Sequence, residues 1–496
     1  MAIVVFRADG SPSIGSGHIM RMLALAGVLE NSGWKIGFAA SEETLDSIPL
    51  LTERISDCLA LPAVANEAEA MKLRWPGGAD VLIVDHYGRD AEFEQACRPW
   101  ARKIVVIDDL ADRKHDADIL VDSSTGDVRS YAGLVPSHCK MLVGPRYAMI
   151  NPGFLHAREA ALQRRGGNNV ARILVTMGQM DPDNATSLAL DAIEASGFLG
   201  EVVVVLGQAA RHLSEVRRRA TGRTRLRVNV SDMPALITNC DLAVGAGGVT
   251  AWERACLGLP SILIEIADNQ KGLIATLVQS GAAVFAGRLN EIDKDAVAAT
   301  IAGLLDAVDR RKEMSSAGAR LVDGRCAQRI LFALAGQGES KAGAVSLRPA
   351  EPSDEGWLLD LQRKRETRQH FVNRSVPTAE EHARWLAAVL QNPNVLLSII
   401  EVGGVAGGYV RFDRRESTDA IPLYAVSIAV DPRLHGKGTG LAGLRLARGA
   451  FPGADFEAQV LPENAASLRL FERAGYVYAS EQVLKSYSPW RNLPVI

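Results

Sequence analysis

Short apolar runs alternate with longer amphipathic stretches through the first 335 of the chain's 496 residues. The runs IVVFRA, KIGFAA, ADVLIVDH, KIVVIDD, ADILVDS and KMLVG read as buried strands, and HIMRMLALAGVLENSG reads as an amphipathic helix ending at Gly33. Such alternation predicts a parallel sheet covered by helices on both faces. The pattern pauses over GPRYAMINPGFLHAREAALQRRGGNN and restarts with ARILVTMG, EVVVVLG, RLRVNV, CDLAVGAGG and PSILIEI, which predicts a second sheet of the same type. The expectation is an α/β arrangement of two Rossmann-like domains, 1–155 and 156–335, with a cleft between them. The small, polar stretch GQGESKAGA, 336–344, reads as a linker. Residues 345–496 mix strands (VLLSIIEVGG, VAGGYVRFDRR, YAVSIAVDP, FEAQVL) with helices (EEHARWLAAVLQ, LAGLRLARGA, AASLRLFERAG). The hairpin IIEVGGVAGGYVRF, turning at Gly-Gly, predicts antiparallel pairing and an α+β domain.

Composition narrows the function classes. No apolar run approaches the ~20 residues of a membrane span, and MAIVVFRADG lacks the basic and long apolar regions of a signal peptide. A cytoplasmic protein without a membrane partner is expected. A net charge of −3 argues against a broad nucleic-acid surface. The six cysteines are scattered without a C-x-x-C pair, so neither a zinc site nor a disulfide framework is expected.

The candidate chemistry lies at strand ends. The stretch SIGSGHIMRML, 13–23, follows the first strand, and glycines there let backbone N–H groups approach a ligand. The following helix directs its positive dipole end at the same spot. That dipole disfavours a charged His18, leaving a neutral imidazole able to accept a proton. VDHYGRD, 84–90, ends another strand with polar groups, and TMGQMDPDN, 176–184, opens the second half with another phosphate-type loop. The most specific signal is GAGGVTAWERACLGLPSILIEIADNQ, 245–270. Its loop amides and Thr250 can hold a pyrophosphate, and the Glu253 carboxylate can take both hydroxyls of a ribose. Asp108 and Asp109 read as a structural strand end, and no His/Asp/Glu spacing suggests a metal.

These motifs resemble nucleotide-sugar glycosyltransferases of the GT-B fold. FRADGSPSIGSGHIMRML, VDHYG, VIDDLADRKHDADILVD, GPRYAMINPGF and the 245–270 stretch are similar more particularly to the UDP-2,4-diacetamido-2,4,6-trideoxy-β-L-altropyranose hydrolases of pseudaminic acid biosynthesis. The resemblance implies metal-free release of UDP by water attacking the anomeric carbon with inversion. It implies that His18 is the catalytic histidine and Tyr87 an active-site tyrosine. The implied UDP-sugar contacts are Gly15, Gly17, Arg21, Gly178, Asn184, Gly247, Gly248, Thr250, Glu253, Asn269 and Gln270. One departure is MGQMDPDN, where that family has a loop closer to GGSDP-N.

In VSIAVDPRLHGKGTGLAGLRLA a strand is followed by Arg433-x-x-Gly436-x-Gly438 and a helix, an order that turns backbone N–H groups toward a pyrophosphate. With ENAASLRLFERAGYVY it resembles the GNAT acyltransferases. The resemblance implies acetyl-CoA as co-substrate, contacted by Ile428, Val430, Arg433, Gly436, Lys437, Gly438, Thr439, Gly440 and Asn464. Phe471 stands where many such enzymes carry the tyrosine acid, so Tyr476 and Tyr478 are alternative acids. RETRQHFVNRSVPTAEEHARWL resembles the front of acetyltransferases acting on amino sugars, with His382 read as a helix-face residue. The leading expectation is a bifunctional enzyme acting on a UDP-activated amino sugar: N-acetylation of its 4-amino group, then removal of UDP. The alternatives are a GT-B glycosyltransferase using a UDP-sugar donor, and a nucleotide-sugar-binding scaffold with an inactive GNAT domain.

Overall fold

The computed structural model describes residues 2–11, 15–61, 66–124, 127–167, 169–220, 222–371, 374–417 and 421–489. Residues 12–14, within the first glycine-rich loop, and 372–373, within the acceptor-side stretch, lie outside the described residues. Among the described residues the strands form three sheets.

The first sheet has seven strands, from Ile3–Ala8 to Lys140–Val143, in spatial order 3-2-1-4-5-6-7 along the chain. The second has six, from Arg172–Thr176 to Ala283–Arg288, in the order 3-2-1-4-5-6 within its half. The recorded pairings in both are parallel. In each, the order reverses beside the half's first strand, and ligands of open α/β sheets bind at the carboxyl ends beside such a switch. The Val81–Asp85 strand is buried along its whole length, as the continuous apolar run VLIV requires of a strand covered on both faces. Two strands escaped the sequence pattern, Cys58–Leu61 at one edge and Ala283–Arg288 at another. Both lie at sheet edges with most of their positions partly exposed, unlike the fully buried central strands.

Ala148, Ile150 and Phe154 are buried in the core of the second sheet together with Ala161. The second domain therefore takes in residues assigned from the sequence to 1–155. Val4–Ala26 and Ile36–Cys326 form one compact unit that holds both parallel sheets.

The other unit gathers Ala327–Ile496 with Met1–Ile3 and Gly27–Lys35. Its eight-stranded sheet is antiparallel except where Leu423–Val430 runs parallel to Asp455–Gln459. The Gly403-Gly404 turn joins Val395–Val402 to Val405–Arg415 as the sequence suggests, both glycines having positive φ. The stretch 336–344 is not a free linker. Gly338–Ser340 and Gly343–Pro349 pair as a hairpin at the edge of this sheet, closed by the Ser340 hydroxyl donating to the Gly343 carbonyl at 3.0 Å. Small and polar residues serve tight hairpin turns as well as flexible tethers. Among the described residues no helix is long and apolar enough to cross a membrane.

Candidate active site

His18 lies in the first turn of the helix Gly17–Asn31 and is 8% exposed. Its Nδ1 is 2.6 Å from Oδ1 of Asp85, the fully buried last residue of the strand Val81–Asp85. The same carboxylate accepts from Arg21 Nε and Nη2, each at 2.5 Å. Residues 18 and 21 are one helical turn apart, so both side chains reach one carboxylate at the neighbouring strand end. Burial pushes the Asp85 carboxyl up, but the Arg21 charge and the hydrogen bonds from Arg21 and His18 overcome it and hold it well below the usual range. An ionised Asp85 only accepts hydrogen bonds, so in the neutral imidazole the proton sits on Nδ1 and the lone pair on Nε2. Among the described residues nothing hydrogen-bonds Nε2.

Tyr87 packs edge-on against the imidazole, ring centroids 4.7 Å apart. Its hydroxyl donates to Asp109 Oδ2 at 3.4 Å and accepts from Asn269 Nδ2 at 3.2 Å. Burial first, and then the Asp109 charge, push the phenol up to about 12. Asp109 also takes Arg21 Nη1 at 3.4 Å. Of the Asp108–Asp109 pair, Asp108 serves the strand end, accepting from Tyr131 and the Ala111 amide, whereas Asp109 joins Tyr87 and Arg21.

The two parallel halves meet at these loops. Ser16 donates to Gln179 Oε1 at 2.9 Å, and a Cβ on Gly17 would lie 3.9 Å from Val249. Gly15, with φ +87°, and Gly178, with φ +94°, adopt backbone open to glycine. Gly248 caps the helix Val249–Cys256 with open space where a Cβ would stand. Gly247 is glycine for another reason: a Cβ there would lie 2.4 Å from Ile274. Glu253, half-buried with no side-chain hydrogen bond among the described residues, is pushed up to about 7 by burial, against the opposing pull of Arg254.

Two expected contacts are turned elsewhere. Asn184 Nδ2 donates to Glu215, and the first amides of the helix Ala185–Ala195 are taken by the Asp181 carboxylate at 2.9 and 3.0 Å. That helix start is already capped and has no amides there to offer a phosphate. Gln270 Oε1 accepts from the Gly247 and Ile266 amides at 3.2 Å each, so it holds the glycine loop in shape. The sequence does not single out Asp85 or Arg254, and Asp109 reads there as a strand-end residue. The signal for Asp85 was an acid ending an otherwise apolar central strand.

In the third sheet, Leu423–Val430 pairs with Asp455–Gln459 only through Ala425. Beyond it, among the described residues, no strand pairs with Ile428 and Val430 on that side, where the His435 ring Nε2 meets the Val430 carbonyl at 3.0 Å, while both still pair with Val405–Arg415 on the other. Gly436 and Gly438 have positive φ and open space where a Cβ would stand, and Gly438 caps the helix Thr439–Ala450. Among the described residues the buried Thr439 hydroxyl has no hydrogen-bond partner. Lys437 lends its carbonyl to the Lys341 amide of the hairpin at 2.8 Å. Arg433 is largely exposed and bonded to Asp431. Gly440 is needed for packing, since a Cβ there would lie 3.2 Å from Leu470. Asn464 caps the helix Ala465–Arg473 by accepting from the Ser467 amide. Tyr476 is buried between Phe456 and Phe471, and burial pushes its phenol up. It is core packing, and of the two alternative acids only Tyr478 is exposed. His382 is buried beside Trp385 on the helix Ala379–Gln391.

Residues 345–477 match the family model of the acetyltransferase (GNAT) domain. This part of the chain is a GNAT domain. Over 324 residues the chain is 25% identical to the spore coat polysaccharide biosynthesis protein SpsG of Bacillus subtilis, a match covering 64% of this chain and 93% of that protein. It is 31% identical over 156 residues to the UDP-2,4-diacetamido-2,4,6-trideoxy-beta-L-altropyranose hydrolase of Campylobacter jejuni, covering 30% of this chain and 53% of that protein. It is 30% identical over 193 residues to the UDP-N-acetylglucosamine--N-acetylmuramyl-(pentapeptide) pyrophosphoryl-undecaprenol N-acetylglucosamine transferase of Anaeromyxobacter dehalogenans, covering 37% of this chain and 50% of that protein. The chain thus spans about half the length of the last two. Two parallel sheets of Rossmann-like strand order followed by a GNAT domain are the architecture.

Proposed function

We propose that the chain carries out two steps on a UDP-activated 2,4-diamino sugar: acetyl transfer from acetyl-CoA to the 4-amino group, and hydrolytic release of UDP. The observation that carries the second step is the His18–Asp85 pair, which leaves Nε2 as a base beside the loops that meet at Gly17, Gln179 and Val249. In this reading Nε2 takes a proton from water as its oxygen bonds to the anomeric carbon. The bond from that carbon to the β-phosphate oxygen breaks, and UDP leaves with the electron pair. The Gly247–Thr250 amides and helix dipole meet the charge that develops on the diphosphate, and Glu253 meets the ribose.

For acetyl transfer, the open edge at Ile428 and Val430 suits the pantetheine amides, and the Gly436–Gly438 turn suits the pyrophosphate. The amine nitrogen bonds to the thioester carbon, the C–S bond breaks, the amine gives up a proton and the thiolate gains one. The likeness to the hydrolase supports the sugar assignment, and the GNAT match supports the acyl donor.

The test is UDP release from a panel of UDP-2,4-diamino and UDP-2,4-diacetamido sugars, with chelator present and without any acceptor, alongside acetyl-CoA consumption. Release should proceed with inversion, and His18→Asn should bind UDP normally yet lose ~10²–10⁴-fold in turnover. UDP release that requires an added acceptor would replace this reading with glycosyl transfer. Near-normal turnover by His18→Asn would remove the base assignment.

A further inference from the structure

Behind the Gly245–Gly248 loop lies a guanidinium that the proposed reaction leaves unused. Arg254 is fully buried, and its four hydrogen-bond partners among the described residues are all neutral. Nη1 donates to Thr176 Oγ1 at 2.6 Å and Thr250 Oγ1 at 3.4 Å, Nη2 to the Ala246 carbonyl at 2.9 Å, and Nε to Ser261 Oγ at 3.2 Å. The loop closes tightly over it, for a Cβ on Gly245 would lie 2.5 Å from Nη1. A buried cation bonded only to neutral groups is costly; the adjacent Glu253 carboxylate offsets part of that cost without hydrogen-bonding to it, and a phosphate beyond the loop would offset more.

The donors and acceptors also carry a direction. Arginine has only donors, so Thr250 Oγ must accept from it, and the Thr250 proton is left for another acceptor. Thr250 is partly exposed on the first turn of the helix Val249–Cys256, next to Gly248. Thr176 ends the strand Arg172–Thr176, directly before the loop that reaches Ser16. One guanidinium therefore sits at the roots of both second-half loops that meet the His18 loop.

We propose that Arg254 is a positioning residue for the diphosphate: from beneath the loop it fixes the Thr250 hydroxyl as an outward donor and sets a positive charge under the phosphates. This rests on the UDP-sugar reading of the cleft. The experiment compares UDP with uridine, which lacks the phosphates, by calorimetry and ligand-observed NMR on the full chain. Arg254→Met should weaken UDP about ten- to a hundredfold, the worth of hydrogen bonds to a charged group, and leave uridine essentially unchanged. Arg254→Lys should recover part of the loss, and Thr250→Val should weaken UDP alone. Equal losses for UDP and uridine in the arginine variants would make Arg254 purely architectural and overturn the proposal, as would unchanged affinity for both. If Arg254→Met does not fold, UDP affinity unchanged in both Arg254→Lys and Thr250→Val overturns it. A wild-type chain that binds uridine but gains nothing from the phosphates overturns the proposal and leaves the nucleotide reading standing. A wild-type chain that binds neither removes the nucleotide reading itself and the proposal with it.

Discussion

Replacing Asp85 by asparagine changes one oxygen to NH₂ at the centre of the site, and the geometry sets the consequence. Both carboxylate oxygens are in use: Oδ1 faces His18 Nδ1 at 2.6 Å and Arg21 Nη2 at 2.5 Å, and Oδ2 faces Arg21 Nε at 2.5 Å. An amide has one accepting oxygen. If it faces Arg21 Nε, the NH₂ meets Nδ1 and moves the imidazole proton to Nε2, which abolishes the base. If it faces His18, the NH₂ is pressed against a guanidinium donor. A comparable tautomer inversion costs about 10⁴ in a hydrolytic triad, so UDP release should fall by ~10³–10⁴. Breaking a buried pair costs about 3–5 kcal/mol. Arg21 keeps Asp109 at 3.4 Å, which brings the expected loss to about 2–4 kcal/mol. The assays are initial-rate UDP release, UDP affinity, and urea unfolding across pH. The folded Asp85 carboxyl titrates below its unfolded value of ~3.9, so its stabilisation is complete at neutral pH and is lost as pH falls through the folded value. The stability gap between wild type and variant should therefore be constant from about pH 8 to 5 and close below about pH 4. Turnover within about threefold of wild type, with UDP affinity intact, would refute the orienting role.

Glu253→Gln should trade binding for stability. Its folded carboxyl, pushed up to about 7 by burial, imposes a penalty that grows as pH rises from the unfolded ~4.3 and is complete above about 7, so the amide should unfold about 2–4 kcal/mol harder at pH 8 and no differently at pH 4. The same variant should bind UDP about tenfold more weakly by calorimetry; unchanged affinity would remove Glu253 from the ribose site. Gly438→Glu places a side chain and a negative charge at φ +89° in the space facing the turn, and it should abolish acetyl-CoA binding while UDP release stays within about twofold. A fragment begun at Val345 loses the hairpin strand Gly338–Ser340 and the Lys341 amide on Lys437. It should bind acetyl-CoA more weakly than the full chain, and equal affinity would show that the hairpin does not support the turn.

Local pattern carried most of the architecture. Apolar runs covered on both faces announce central parallel strands, because such strands tolerate few polar residues. Glycine before a helix start announces the loops, because only certain backbone shapes allow close approach. The placing of His18 and Gly248 at such loops was legible that way, whereas Tyr87 was reached only through the family resemblance. Assignments that depend on partners far apart in the chain were not. Nothing in the sequence says that Asp85, 67 residues from His18, sets its tautomer, or that Arg254 reaches back 78 residues to Thr176. Nor does it say that Asp181 has already claimed the amides of the 185–195 helix, or that the Gln270 carbonyl oxygen is taken by the Gly247 and Ile266 amides. The same small residues spell both a tether and a hairpin, and only the neighbouring strand at 343–349 decided which 336–344 would be. Sequence fixes what each residue can donate, accept or pack. Which of those capacities is still free for a ligand is settled only when folding brings the competing partners within hydrogen-bond range.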